Sequence, residues 1–356
     1  MNIQKATQSY ERWLSGFLNL LPADLEKKHE EMASAEFAYF RATFYRWMQF
    51  WNARDEQWSR GPEVLATGDL HVENFGTWRD AEGRLVWGIN DFDEACSAPF
   101  TLDLVRLAAS AHVAIDSAHL SIGRGDACEA ILAGYAKALE TRGAPLVLAE
   151  RHDWLHRMVT GELRDAVLFW RKMDSLPAIP RIPKSARRAV ESLMPKDDLA
   201  YRIVHRQAGL GSLGRERYVA LTEYHGGRIA REAKALAPSA CVWADKNRSK
   251  RIRYGEILDT AVRCPDPFVR QKGRWIVRRL APDCSRVELS SMPKVRDEAK
   301  LLHCMGHETA NVHLGSKGAG KAIQRALRKL PKRWLHEAAE TMNEQTIKDW
   351  KAWKKG

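Results

Sequence analysis

The chain has 356 residues, 45% of them hydrophobic and 29% charged, with a net charge of +12. That is the composition of a folded globular protein of about two domains, and it excludes a disordered or collagen-like chain. The six cysteines are scattered with no C-x-x-C, so neither a disulfide framework nor a zinc site is expected, and a reducing cytoplasm is the expected compartment.

Met1 to Glu11 is polar, and no apolar run approaches the roughly 18 residues of a membrane span, so neither a signal peptide nor a membrane partner is expected. Residues 8–58 read as helical. Leu14, Phe17, Leu18 and Leu21 fall at helical spacing before Pro22, and Phe37, Phe40, Phe44, Trp47 and Trp51 recur every three or four residues. These aromatics are expected to be core.

The period then changes. Val64-Leu-Ala66 is a short apolar run. Phe75 to Trp78 and Leu85 to Ile89 read as two strands around the turn Asp80-Ala-Glu-Gly83. A hairpin brings its ends together, so the polar clusters Asp69–Asn74 and Asn90–Glu94 should be neighbours. Helices are predicted over Leu102–Ile115, Ala127–Leu139 and Trp154–Met173, followed by a linker marked by Pro177, Pro180 and Pro183.

Residues 201–282 are strand-rich. Tyr201–His205 and Tyr218–Leu221 flank Gly209-Leu-Gly-Ser-Leu-Gly214, a third strand is read at Arg228-Ile-Ala230, and Phe268–Arg270 with Trp275–Val277 flank Lys272-Gly273. From about Pro293 the helical period returns. Lys317 to Gly356 holds 11 Lys or Arg against 4 Asp or Glu. This basic tail is expected to be a solvated helix face. Nucleic-acid binding through stacking of Trp334, Trp350 and Trp353 is the weaker alternative to helix packing.

Two stretches carry chemistry. In Gly68-Asp-Leu-His-Val-Glu-Asn-Phe-Gly76 an Asp and an Asn stand five residues apart, and Asn90-Asp-Phe-Asp-Glu94 adds carboxylates across the hairpin. Phosphoryl transfer needs a carboxylate to orient the acceptor hydroxyl, and an Asn and a second Asp to hold Mg²⁺ on the phosphates. The other stretch is the G-x-G-x-x-G of Gly209, Gly211 and Gly214, with Ser212 inside it. Strands on both sides favour a loop over ATP phosphates, because glycines let main-chain N–H groups approach closely. Lys234, twenty residues past Gly214, is the residue type that pairs nucleotide phosphates. Glu256, or less favourably Glu232, is the expected partner of that lysine.

This pattern resembles the protein-kinase-like superfamily, especially its aminoglycoside and choline kinase branch. The resemblance implies Asp69 as catalytic base, Asn74 and Asp91 as magnesium ligands, Asp93 as a supporting carboxylate, and Asp103 as a brace for the loop backbone. It implies that residues 279–283 are an inter-lobe hinge. Thr67 replaces the usual first His, and His71 either braces the loop or, in a metal-dependent phosphohydrolase, binds metal. The helix at Leu301–His313 resembles the one that normally precedes the catalytic loop. The expected fold is therefore α+β, a protein-kinase-like two-lobed fold in circularly permuted order.

The expected segments are N-terminal helices (1–58), a catalytic helical lobe (59–198), a nucleotide-binding sheet lobe (199–290), a returning helix (291–316) and the basic tail (317–356). The chain also resembles the bacterial domain of unknown function 2252 family over roughly residues 30–316, through Phe37–Trp47, Gly68–Gly76, Asn90–Glu94, Leu102–Ser110, Gly211–Gly214, Lys234 and Pro238-Ser239. The expected activity is an ATP- and Mg²⁺-dependent phosphotransferase acting on an open class of acceptor, small-molecule or protein, with nucleotidyl transfer still open. The alternatives are a phosphohydrolase and a non-catalytic binding protein on the same scaffold.

Overall fold

The computed structural model describes residues 1–160, 165–284, 286, 288, 289, 293 and 297–356. Four helices come first: α1 (Ile3–Ser15), α2 (Pro22–Ser34), α3 (Glu36–Ala42) and α4 (Phe44–Asn52). Asn2 caps α1 by accepting the Lys5 N–H. Pro22 opens α2, where its fixed φ suits a first turn. Leu18 and Leu21 therefore lie in a connection and not on α1. Phe37, Phe40, Phe44, Trp47 and Trp51 are buried, as their spacing predicts.

Strands β1 (Glu63–Ala66), β2 (Phe75–Arg79), β3 (Leu85–Ile89) and β4 (Cys96–Pro99) follow. β2 and β3 are the predicted hairpin, with Phe75 opposite Ile89. Asp80 closes its turn by accepting the N–H groups of Glu82 and Arg84. β1 pairs antiparallel with β4, a strand the sequence does not announce. The two ladders hold the polar clusters together, and Asn90 donates its N–H to the Asn74 carbonyl at 3.2 Å.

Helices α5 (Thr101–Asp116) and α6 (Arg124–Thr141) come next, then β5 (Leu146–Val147) on the β3 edge, α7 (Leu148–Arg151), α8 (Asp153–Val159), α9 (Ala166–Asp174) and α10 (Lys184–Glu191). The single helix expected over Trp154–Met173 is two helices, α8 and α9. Residues 161–164, within that expected span, lie outside the described residues.

The second sheet has five antiparallel strands: β6 (Arg202–His205), β7 (Arg217–Tyr224), β8 (Gly227–Ala235), β9 (Val269–Lys272) and β10 (Trp275–Leu280), in the order β6-β7-β8-β10-β9. Between β8 and β9 lie α11 (Ala240–Ala244) and α12 (Tyr254–Thr260). Side chains alternate across a sheet, so residues two apart share a face. Val204, Val219, Leu221, Ala230 and Leu280 form an apolar half-face covered by Phe169, Trp170 and Leu176. Further along the same face come Arg217, Glu232, Lys234 and Arg278, with Arg217 opposite Lys234 and Glu232 opposite Arg278. α9 thus belongs with the sheet, α10 packs on β8 and β10, and Ile179 donates its N–H to Ile203. The segment that the sequence assigns to the helical lobe up to 198 already contributes to the sheet layer. The expected boundary at 290/291 lies outside the described residues.

The chain ends in α13 (Glu298–His313), α14 (Ala319–Leu327) and α15 (Trp334–Trp353). α13 lies tightly against α6 because each helix presents a glycine at the crossing. A Cβ at Gly134 would sit 1.8 Å from the His303 carbonyl oxygen, and one at Gly306 would sit 2.0 Å from that of Ile131. Main chain cannot yield as a side chain does. Gly306→Ala should therefore lower the unfolding free energy by at least ~1–3 kcal/mol, read from urea midpoints, although alanine is the better helix former. On the tail, Trp334 is buried, and Trp350 and Trp353 pack with the cluster of Ile3, Met32, Tyr39 and Ala42. Those indoles serve as packing surface. Among the described residues no helix is long and apolar enough to cross a membrane.

Candidate active site

The cleft lies between the hairpin clusters and the polar half-face of the five-stranded sheet. It is a cavity of about 370 Å³ lined by, among others, Asp69, His71, Asn74, Asp91, Asp93, Gly209, Gly211 and Ser212. That volume is in the range of small-ligand sites.

The loop carrying Asp69 is fixed from beneath by α5. Asp103, in the first turn of α5, accepts the N–H groups of Thr67 at 2.7 Å and Gly68 at 2.9 Å, and its carboxylate also meets His313 Nε2 at 3.0 Å. One turn on, Arg106 donates to Asp69 Oδ1 from Nε at 3.1 Å and from Nη2 at 2.8 Å. Arg106 is wholly buried, with its guanidinium 3.6 Å from the centroid of Phe40. Asp69 therefore has one oxygen held and one turned to the cleft. Burial raises its carboxyl to about 6 despite the charge of Arg106. His71 Nδ1 accepts the N–H of Glu73. Burial and the neighbouring arginines push the His71 imidazole well below its usual range, so it is neutral.

Asn74 Nδ2 donates to the carbonyls of Asp69 at 3.1 Å and Asp91 at 3.3 Å. This fixes the amide and turns Oδ1 to the opposite side. Across the cleft, Lys234 Nζ lies 3.1 and 3.0 Å from the two Asp91 oxygens and 2.7 Å from Asp93 Oδ2. Burial disfavours charge on Asp91, but the ammonium of Lys234 and a hydrogen bond from Asp93 more than offset it and hold the carboxyl low. Asp93 is pushed up to about 6 by burial and by the Asp91 charge. Of the two, Asp91 is the one ionised first. Asp93 Oδ1 is buried and receives no hydrogen bond from the described residues.

The glycine loop is a tight turn. Gly209 and Gly214 have φ of +73° and +91°, and the Ser212 hydroxyl donates to the Gly209 carbonyl while accepting from Arg217 at 2.7 Å. A Cβ at Gly211 would lie 2.9 Å from the Arg41 carbonyl and 3.5 Å from Asp69 Oδ2. A side chain at position 211 would therefore press on main chain and approach Asp69, and only a residue without one fits. The N-terminal helices take part: Leu21 donates its N–H to the Gly214 carbonyl at 2.9 Å, and α3 packs against the turn.

One expectation fails. Glu256 does not meet Lys234. It pairs with Arg253 at 2.7 Å and lines a separate depression beside β9, with Arg270 and Gln271. The reason is that α12 lies beside β9, two strands from β8. Glu232 is on the right face but is wholly buried among Arg206, Arg217 and Arg278, at 2.7–3.2 Å. The two carboxylates that meet Lys234 are instead Asp91 and Asp93. Residues 279–283 begin as the last two residues of β10 and then leave the sheet for the hairpin, where Thr77 donates to the Asp283 carbonyl.

Several site residues escape sequence reading. Arg215 joins Glu94 at 2.8 Å, and Arg41 joins Glu73 at 2.7 Å. Arg215 follows Gly214 directly, and Arg106 follows Asp103 by one turn, which are the only signals available. Glu308 of α13 is buried beneath β3 and accepts from Ile89 N and Asn311 Nδ2. Burial raises its carboxyl to about 7. A raised acid favours folding below its unfolded pKa and loses that advantage as pH rises through the folded value. Unfolding free energy should fall between about pH 5 and 8, and Glu308→Gln should remove up to about 3 kcal/mol of that fall, measured as the difference from wild type in urea titrations.

No curated protein and no solved structure matches the chain. Residues 20–165 match the model of the family described as "Uncharacterized protein conserved in bacteria (DUF2252)", a span that includes Asp69, Asn74, Asp91, Asp103 and Arg106 and ends before the sheet that bears Lys234.

Proposed function

We propose that the protein is an ATP- and Mg²⁺-dependent phosphotransferase built on a circularly permuted kinase-like fold. The observation that carries this reading is the ion pair of 3.0 Å between Lys234 and Asp91, residues 143 positions apart that meet across a cleft roofed by the glycine loop. A phosphotransferase needs little else: a base for the acceptor, oxygen ligands for the cation, and cationic groups for the phosphates. Asp69 supplies the first. Asp91, Asn74 Oδ1 and Asp93 Oδ1, which has no hydrogen-bond partner among the described residues, are the hard oxygen donors that suit magnesium. Magnesium, when bound, neutralises charge on the phosphates. Lys234, Arg217 and Arg278 line up on the polar half-face of the sheet.

The chain order supports the permuted fold. A five-stranded sheet with the glycine turn between its first two strands and the lysine on its third follows the catalytic loop. α13 ends where β1 begins, with Leu65 N donating to Ser316 Oγ at 2.8 Å. A helix that in the unpermuted order leads into the catalytic loop ends beside that loop's strand. Calorimetry with a non-hydrolysable ATP analogue should give one Mg²⁺-dependent site that Asp91→Asn weakens at least ~10-fold, a loss of about 1.4 kcal/mol. Heat that is absent, or indifferent to magnesium, contradicts the reading. Phosphoester turnover without ATP would favour the hydrolase instead.

A further inference from the structure

Outside the cleft, α5, α6 and α15 pack together at one junction. His112, Cys128 and His336 come from these three helices, and their ligating atoms all lie within 4.8 Å of one another. His112 Nε2 is 3.3 Å from Cys128 Sγ. The imidazoles of His112 and His336 are neighbours, with centroids 5.3 Å apart. His112 is fully buried and Cys128 nearly so.

We propose that His112, Cys128 and His336 form a zinc site that fastens the C-terminal helix to the helices behind the cleft. A tetrahedral zinc with bonds of ~2.0–2.1 Å to nitrogen and ~2.3 Å to sulfur sets its ligand atoms ~3.5 Å apart. The His112–Cys128 pair already has that spacing, and His336 needs only a small ring movement to close the set. Two imidazoles and a thiolate are borderline-soft donors, which select zinc over magnesium or calcium. The second shell is present too. Glu340 Oε1 faces His336 Nε2 at 3.4 Å, while His336 Nδ1 is buried without a hydrogen-bond partner among the described residues. A carboxylate behind an imidazole is the arrangement that orients a zinc-binding histidine. Arg124, paired with Asp116 and 3.7 Å from Glu340, holds that carboxylate in place. Burial keeps His112 neutral, which suits ligation, and raises the Cys128 thiol, so binding releases one proton to solvent. The site stands apart from the proposed ATP chemistry. It is joined to the cleft through α5, whose first two turns hold Asp103 and Arg106.

The test uses the full chain, stripped of metal by a chelator. Titration with Zn²⁺ should give one equivalent retained after desalting, by elemental analysis, and a higher melting temperature. Co²⁺ in its place should give visible bands of a tetrahedral site and a near-ultraviolet thiolate band. Cys128→Ser should erase the thiolate band. His336→Gln, at the more exposed edge, should lower zinc affinity at least ~10-fold while circular dichroism stays native. This variant decides the matter if Cys128→Ser does not fold. Absence of stoichiometric zinc, or a cobalt spectrum unchanged in both variants, overturns the proposal.

Discussion

Asp69→Asn should lower the rate of Mg²⁺-dependent ATP consumption by ~10²–10⁴-fold, the usual cost of losing a general base. The variant keeps the shape of the side chain and an oxygen for Arg106 to hold, so the loop and the nucleotide site should survive. Affinity for an ATP analogue should stay within about twofold of wild type, which marks a loss confined to the transition state. Wild-type activity should rise with pH through about 6, because burial raises the Asp69 carboxyl to that value and a base acts only when ionised. Initial-rate measurements across pH check both statements. An Asp69→Asn enzyme with wild-type turnover would remove Asp69 from the chemistry.

The second large effect is on the fold. Lys234 is almost wholly buried between Asp91 and Asp93, at 3.0 and 2.7 Å. Lys234→Met keeps the bulk of the side chain and removes its charge, leaving two adjacent carboxylates with no cation between them. Breaking a fully buried pair costs ~3–5 kcal/mol at neutral pH, and because Asp91 keeps 37% of its side chain in solvent the expected loss lies at the low end of that range. Without the lysine, Asp93, already raised, moves further up, and Asp91 loses the charge that holds it low. A raised acid favours the folded state at low pH and loses that contribution as pH rises. The deficit should therefore be largest above neutrality and shrink toward about pH 5. The double variant Lys234→Met/Asp93→Asn should recover much of the loss. Urea unfolding at two pH values checks this, and a deficit under ~1 kcal/mol would mean that the trio behaves as a surface pair.

The local sequence was a good guide where periodicity and turn chemistry act alone. The β2–β3 hairpin is legible because Asp80 to Gly83 closes one end and the apolar alternation sets the register. The five strands of the second sheet are legible for the same reason, and the distance of Lys234 from the glycine loop is what singles it out. The partner of Lys234 was not legible, since it depends on which strand α12 packs against, and nothing near Glu256 encodes that choice. β4 was missed because Cys96-Ser-Ala-Pro99 has no alternation and owes its extended form to pairing with β1. α9 covers the second sheet, which its sequence does not announce, because an apolar helix face does not say what covers it. The His112, Cys128 and His336 group draws on three helices separated by long stretches of chain, so no spacing rule reveals it.

The most direct measurement is a crystal structure of the protein with a non-hydrolysable ATP analogue and Mg²⁺. The account predicts the phosphates between the Gly209–Gly214 turn and Asp91, with the metal on Asp91 and Asn74 and Lys234 turned from the carboxylates to a phosphate oxygen. A nucleotide bound elsewhere, or a Lys234 that keeps both carboxylates while the cleft stays empty of phosphate, would contradict it.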